Sequence, residues 1–112
     1  MELIATTDSD GQRIVVTETR LDAAVATEFK DAVRRAMQGG TGPVTLDLSQ
    51  VLFMDSSGLG AVIAVLKLMP QGRALRLSGL TPNVARVFHL TRMDSVFTIL
   101  DQPPRAESAG KT

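Results

Sequence analysis

The chain has 112 residues, with 12 basic and 12 acidic side chains, one His, no Cys and 44% hydrophobic residues. This is one domain's length, and folding removes roughly two-thirds of the unfolded surface from water, enough for a core without disulfides. Zero formal charge with no like-charged block, and four Phe as the only aromatics, argue against a nucleic-acid partner, while the lack of thiols and of a second imidazole excludes zinc, iron–sulfur and Cys-nucleophile chemistry.

Met1 to Asp8 lack the basic start and long apolar stretch of a secretory signal. The longest uncharged apolar run, around Gly58 to Leu66, is far short of the ~20 residues that span a bilayer. The expectation is a cytoplasmic protein with no membrane insertion. Residues 2–7 and 12–18 are β-branched-rich runs separated by Asp8-Ser9-Asp10-Gly11, which predicts a β-hairpin with positive φ supplied at Asp-Gly. Leu21-Asp22-Ala23-Ala24 opens a helix with Val25, Phe29, Ala32, Val33 and Ala36 on one face and Asp22 as its N-cap. Glu28, Lys30, Asp31, Arg34 and Arg35 read as its solvated face, and Gly39-Gly40 as its stop.

Val44-Thr45-Leu46-Asp47-Leu48-Ser49 alternates strictly and is expected to continue through Val51, Leu52 and Phe53 as a buried central strand. Met54 to Gly58 follows as a loop, and Leu59, Val62, Ile63 and Leu66 then recur at helical spacing until Pro70 and Gly72. Ala74 to Ser78 is a further strand, and the intervening helix predicts a parallel crossover. Thr81-Pro82 starts a short helix with Val84, Val87 and Phe88 inward, and Val96 to Leu100 is a short strand or a buried turn. Residues 1–102 are thus expected to form one α/β domain, a mixed sheet of four to five strands backed by about three helices. From Pro103-Pro104 onward, Arg105 to Thr112 offers no apolar residue larger than Ala to bury, and residues 103–112 are expected to be a disordered tail.

The densest polar cluster, Asp55-Ser56-Ser57-Gly58-Leu59-Gly60, lies at the carboxyl end of a strand and the amino end of a helix, where function collects in open α/β sheets. Locally, Ser56 or Ser57 suffices to cap the helix, and Gly58 and Gly60 leave its backbone approachable. A nucleophile elbow needs Gly two residues before the serine, and Met54 and Asp55 stand there instead. No Gly-Lys-Ser/Thr follows, the third Gly of a dinucleotide fingerprint is missing, and His89 beside Phe88 reads as an ordinary partly exposed His. The expectation is no enzyme, no metal and no cofactor. A phosphate on Ser57 would meet free N–H groups at a helix N-terminus yet lie beside Asp55, and its charge would repel an acidic or apolar partner surface. Ala61 and Ala64 are small enough for a partner to approach the following helix closely.

This order of elements, with the string Asp55 to Gly60, Leu46-Asp47-Leu48-Ser49 upstream and Arg20-Leu21-Asp22 opening the first long helix, resembles a STAS domain over about residues 3–100. More narrowly it is similar to the stand-alone anti-sigma-factor antagonists of bacteria. The resemblance implies a non-catalytic mixed α/β domain with Ser57 as phosphoacceptor and a contact surface made by Asp22, Asp55, Ser56, Ser57, Gly58, Leu59 and Gly60. The implied partners are an anti-sigma serine kinase, which brings its own ATP, and a serine phosphatase that resets the modified form. A constitutive STAS subunit of a lipid-transport ABC complex or of a stress-signalling scaffold is the alternative. The family usually ends in an amphipathic helix, whereas this chain reaches Asp101-Gln102-Pro103-Pro104 with almost no apolar residues to build one.

Overall fold

The structure, a computed structural model, describes residues 1–100. Strands β1 (Leu3–Asp8) and β2 (Gly11–Val16) form an antiparallel hairpin in which Asp8 pairs with Gly11. The positive φ of the turn, 114°, falls on Gly11, and the Asp8 side chain accepts from the Asp10 amide. β4 (Val44–Asp47), β6 (Leu75–Ser78) and β7 (Thr98–Leu100) add in parallel, giving the mixed order β1-β2-β4-β6-β7. Of the Val96–Leu100 segment, Thr98–Leu100 forms the closing strand and Val96 ends the turn before it. The tail expected over 103–112, and the question of a final helix, lie outside the described residues.

Alternation along the strands sorts the two sheet faces. Ile14, Val16, Val44, Leu46, Leu75 and Leu77 are buried on the core face, under Phe29, Val33 and Met37 of α1 (Ala26–Met37) and Val62 and Val65 of α2 (Ser56–Leu68). The intervening positions carry Arg13, Thr45, Asp47, Arg76 and Ser78. There the Arg13 guanidinium donates to Asp47 Oδ2 at 2.9 Å and reaches Ser78 Oγ at 3.4 Å, crossing from β2 to β6. Burial acts to raise the Asp47 carboxyl, but hydrogen bonds from Ser49 and Arg13 and the Arg13 charge outweigh it and hold the group below its ordinary value. At the C-terminal end of α1, Arg73 donates to the carbonyls of Met37 and Gly42 and to the Gln12 side chain, tying the end of the helix to the loop before β4 and to β2.

Three local expectations change. The central strand stops at Asp47 instead of running through Phe53, because the Asp47 carboxylate takes the Ser49 amide at 2.9 Å and Val51 N–H bonds back to Leu48. The chain turns, and Phe53–Met54 becomes a separate strand, β5, paired with β3 (Arg20–Leu21) in a second, two-stranded sheet. Asp22 does not cap α1: that helix begins after Val25, and Asp22 instead accepts from the Ala24 amide in the preceding turn. Thr81 does occupy the N-cap of α3 (Pro82–Leu90), with Pro82 at the first position as expected. Its hydroxyl, however, donates to the Val51 carbonyl at 2.6 Å and so ties α3 to the loop before β5.

Candidate functional site

Parallel pairing of β3 with β5 sets Arg20 against Phe53 and Leu21 against Met54. Asp22 and Asp55 are the residues that follow each strand. The Asp55 amide bonds to the Leu21 carbonyl at 3.2 Å, locking the start of α2 to β3. Asp55, not either serine, is the N-cap of α2: its φ and ψ are extended and its Oδ1 accepts from the Gly58 amide at 2.9 Å. Neither serine hydroxyl makes a hydrogen bond among the described residues, so both are left free of structural duty. Ser56 is exposed and Ser57 half-buried.

Gly58 faces Leu21 so closely that a Cβ there would stand 2.1 Å from its carbonyl oxygen, whereas a Cβ on Gly60 would meet open space. Leu59 is buried in the core, as is Ala61, with Ala64 half-buried beside it. The seven contact residues expected from sequence are therefore brought to one corner but at different depths. Asp22, Asp55, Ser56, Ser57 and Gly60 reach solvent, and Gly58 and Leu59 shape the site from below.

Two features were missed by reading the sequence. Arg20 lies over the Phe53 ring, 4.2 Å from its centroid, and donates to Asp22 Oδ2 at 3.3 Å, so one cation links an exposed aromatic to the Asp22 carboxylate. With Leu52 also exposed, the rim before Asp55 is partly apolar, although the continuous Val51–Met54 run reads as core. The second feature is Lys30, which reads as part of a solvated face. It lines, with Ala26, Thr27, Ala61 and Ser57, a shallow depression of about 180 Å³ where α1 meets α2. Only a helical wheel combined with the α1–α2 packing would have found it.

His89 stands at the far end of α3, exposed, with Nδ1 3.1 Å from Asp94 Oδ2, and it is not among the residues around Ser57. Among the described residues no helix is long and apolar enough to cross a membrane.

A five-stranded mixed sheet with three helices, the second headed by an Asp-capped serine turn, defines a class of small α/β domains. The family model described as "Mlab, STAS domain" matches residues 4–101, and the chain belongs to that STAS domain family. It is 28% identical over 97 residues to the anti-sigma-B factor antagonist of Staphylococcus aureus, covering 86% of this chain and 90% of that protein. Among solved structures it is similar to a putative anti-sigma factor antagonist from Thermotoga maritima, at 26% identity and a TM-score of 0.74 over 89% of this chain and 86% of that one. The Bacillus cell fate determinant SpoIIAA in its phosphorylated form shares the fold alone, at 20% identity and a TM-score of 0.63 over 91% and 92% of the two chains.

Proposed function

We propose that the protein is an anti-sigma-factor antagonist controlled by phosphorylation of Ser57, acting in the cytoplasm as a binding module without catalytic activity. The observation that carries this reading is the division of labour at the head of α2: Asp55 caps the helix, and the Ser57 hydroxyl is free. A serine that the fold does not need is available to be modified. The antagonist relatives in Staphylococcus and Thermotoga support the partner class.

In this reading the unmodified corner, formed by Asp22, Asp55, Ser56, Ser57 and Gly60, docks on an anti-sigma serine kinase and frees a sigma factor. The kinase then moves the γ-phosphoryl group of its ATP to Ser57. The Oγ–P bond forms, the bond from that phosphorus to the β,γ-bridging oxygen breaks, ADP leaves and the hydroxyl proton passes to a base on the kinase. About −1.5 to −2 charges then sit at the centre of the contact beside Asp55, and the complex separates. A serine phosphatase directs water onto phosphorus, releasing inorganic phosphate and restoring the hydroxyl.

The test uses wild type and Ser57→Asp as paired baits in the native cytoplasm, followed by incubation of captured proteins with ATP. An anti-sigma kinase held by wild type, lost by the Asp variant and able to phosphorylate Ser57 is the expected result. Recovery of transporter or scaffold subunits by both baits alike overturns it in favour of a constitutive STAS subunit.

A further inference from the structure

Resting on the reading of Ser57 as phosphoacceptor, we infer that Lys30 is the intramolecular counter-ion of the Ser57 phosphoryl group, so that the modified form gains an ion pair tying α1 to α2.

Three observations carry this. Lys30 and Ser57 line one depression, whose other walls are Ala26, Thr27 and Ala61, so Lys30 is its only charged side chain and most of the remaining wall is small. Lys30 is also uncommitted. Its neighbours on α1 are engaged, Glu28 with the terminal amine of Met1 and Asp31 with Arg34 at 3.7 Å, whereas no carboxylate stands within 4.0 Å of Lys30 among the described residues. Finally, the carboxylates flanking Ser57 are satisfied elsewhere: Asp55 by the Gly58 amide, Asp22 by the Ala24 amide and Arg20. They supply negative charge at the corner without competing for the Lys30 ammonium. Nor does the pocket hold a second cation, since Arg20 is drawn over Phe53.

A dianion added at Ser57 therefore finds repulsion on the Asp22 and Asp55 side and one free cation on the α1 side. The phosphoryl group turns towards Lys30, a half-buried residue on the wall of the same depression. Lys30 is a positioning residue here. It holds the phosphate in a fixed place on the domain and favours its doubly ionised form.

The experiment does not require the kinase. Phosphoserine is encoded during translation at position 57, and the 31P chemical shift is titrated in the otherwise wild-type chain, in Lys30→Arg and in Lys30→Gln. The second ionisation of an isolated phosphoserine lies near pH ~6. With Lys30 or its Arg replacement it is expected about half a pH unit lower, a roughly threefold larger ionisation constant, and Lys30→Gln returns it upward. Circular dichroism confirms folding, since the core face of α1 is Phe29, Ala32, Val33 and Met37 and is untouched. Identical titrations in all three proteins overturn the inference. A kinase that modifies Ser57 while the titrations coincide defeats only the role of Lys30. A shifted titration without any captured kinase defeats only the antagonist reading.

Discussion

A Cβ on Gly58 would stand 2.1 Å from the carbonyl oxygen of Leu21, the same oxygen that accepts from the Asp55 amide. The glycine is thus required by the docking of α2 on β3, and its neighbour two residues on is not. Gly58→Ala is expected to lower unfolding free energy by about 1–3 kcal/mol or more through overpacking against backbone. Gly60→Ala, exposed and with open space around its Cα, is expected to raise it by about 0.5–1 kcal/mol through helix propensity. Urea denaturation of the pair checks both signs, and equal effects would remove the packing argument.

Because the cap is Asp55, the stability of α2 resides in that carboxylate. Asp55→Ala is expected to cost about 1 kcal/mol, as the Gly58 amide loses its acceptor. Ser56→Ala, by contrast, should remain within about 0.5 kcal/mol of wild type, as for a surface change that breaks no structural contact. A thermal-melt comparison in which Ser56→Ala is the more damaging would return the cap to a serine.

The folded-state Asp47 carboxyl lies below its ordinary value, so its contribution has a defined pH window. A depressed carboxylate stabilises the fold above the unfolded value of ~3.9 and loses that contribution as pH falls through the lower folded value. Arg13 is nearly half exposed, and solvent screens its share. Asp47→Asn is expected to be less stable than wild type by about 1 kcal/mol at pH 7, with the gap closing towards pH 3. Urea midpoints at pH 7, 5 and 3 measure it; a gap that stays constant would locate the effect outside the ionised group.

The frame of the molecule was readable because its signals are local. Gly11 takes the hairpin's positive φ, Gly39 follows the end of α1 with φ 78°, Pro82 sits in the first turn of α3, and Val44 and Leu46 alternate into the core. What escaped was decided by pairing across distance. Two-residue strands have no alternation to detect, and nothing near Phe53 announces that it will pair with Arg20, 33 positions earlier in the numbering. That pairing keeps the chain extended through Leu21, which delays α1 to Ala26 and converts Asp22 from a helix cap to a turn cap. It also leaves Leu52 and Phe53 at the surface rather than in a long strand. At the site the string Asp55 to Gly60 was visible, but its internal roles were not. Both serines and Asp55 have the chemistry of an N-cap, and only the backbone geometry held by Leu21 selects Asp55.

The exposed rim made by Arg20, Leu52 and Phe53 extends the proposed contact surface away from Ser57 and gives it an apolar anchor of the kind that dominates binding energy. Leu52 is the cleanest probe. Its backbone N–H bonds to the Thr19 carbonyl and its own carbonyl accepts from Asn83, while the residue is 57% exposed. Leu52→Asp therefore leaves the chain's own hydrogen bonds in place, and its stability should change by no more than about 0.5 kcal/mol. Placed at an apolar contact, the new carboxylate should weaken capture of the kinase by about tenfold or more, the equivalent of at least ~1.4 kcal/mol. A matching change of one negative unit on a surface remote from this corner, Lys67→Gln on the last turn of α2, should leave capture unaltered. Titration calorimetry against the captured partner separates the two, and equal affinities for wild type and Leu52→Asp would confine the contact to the corner built by Asp22, Asp55 and Ser57.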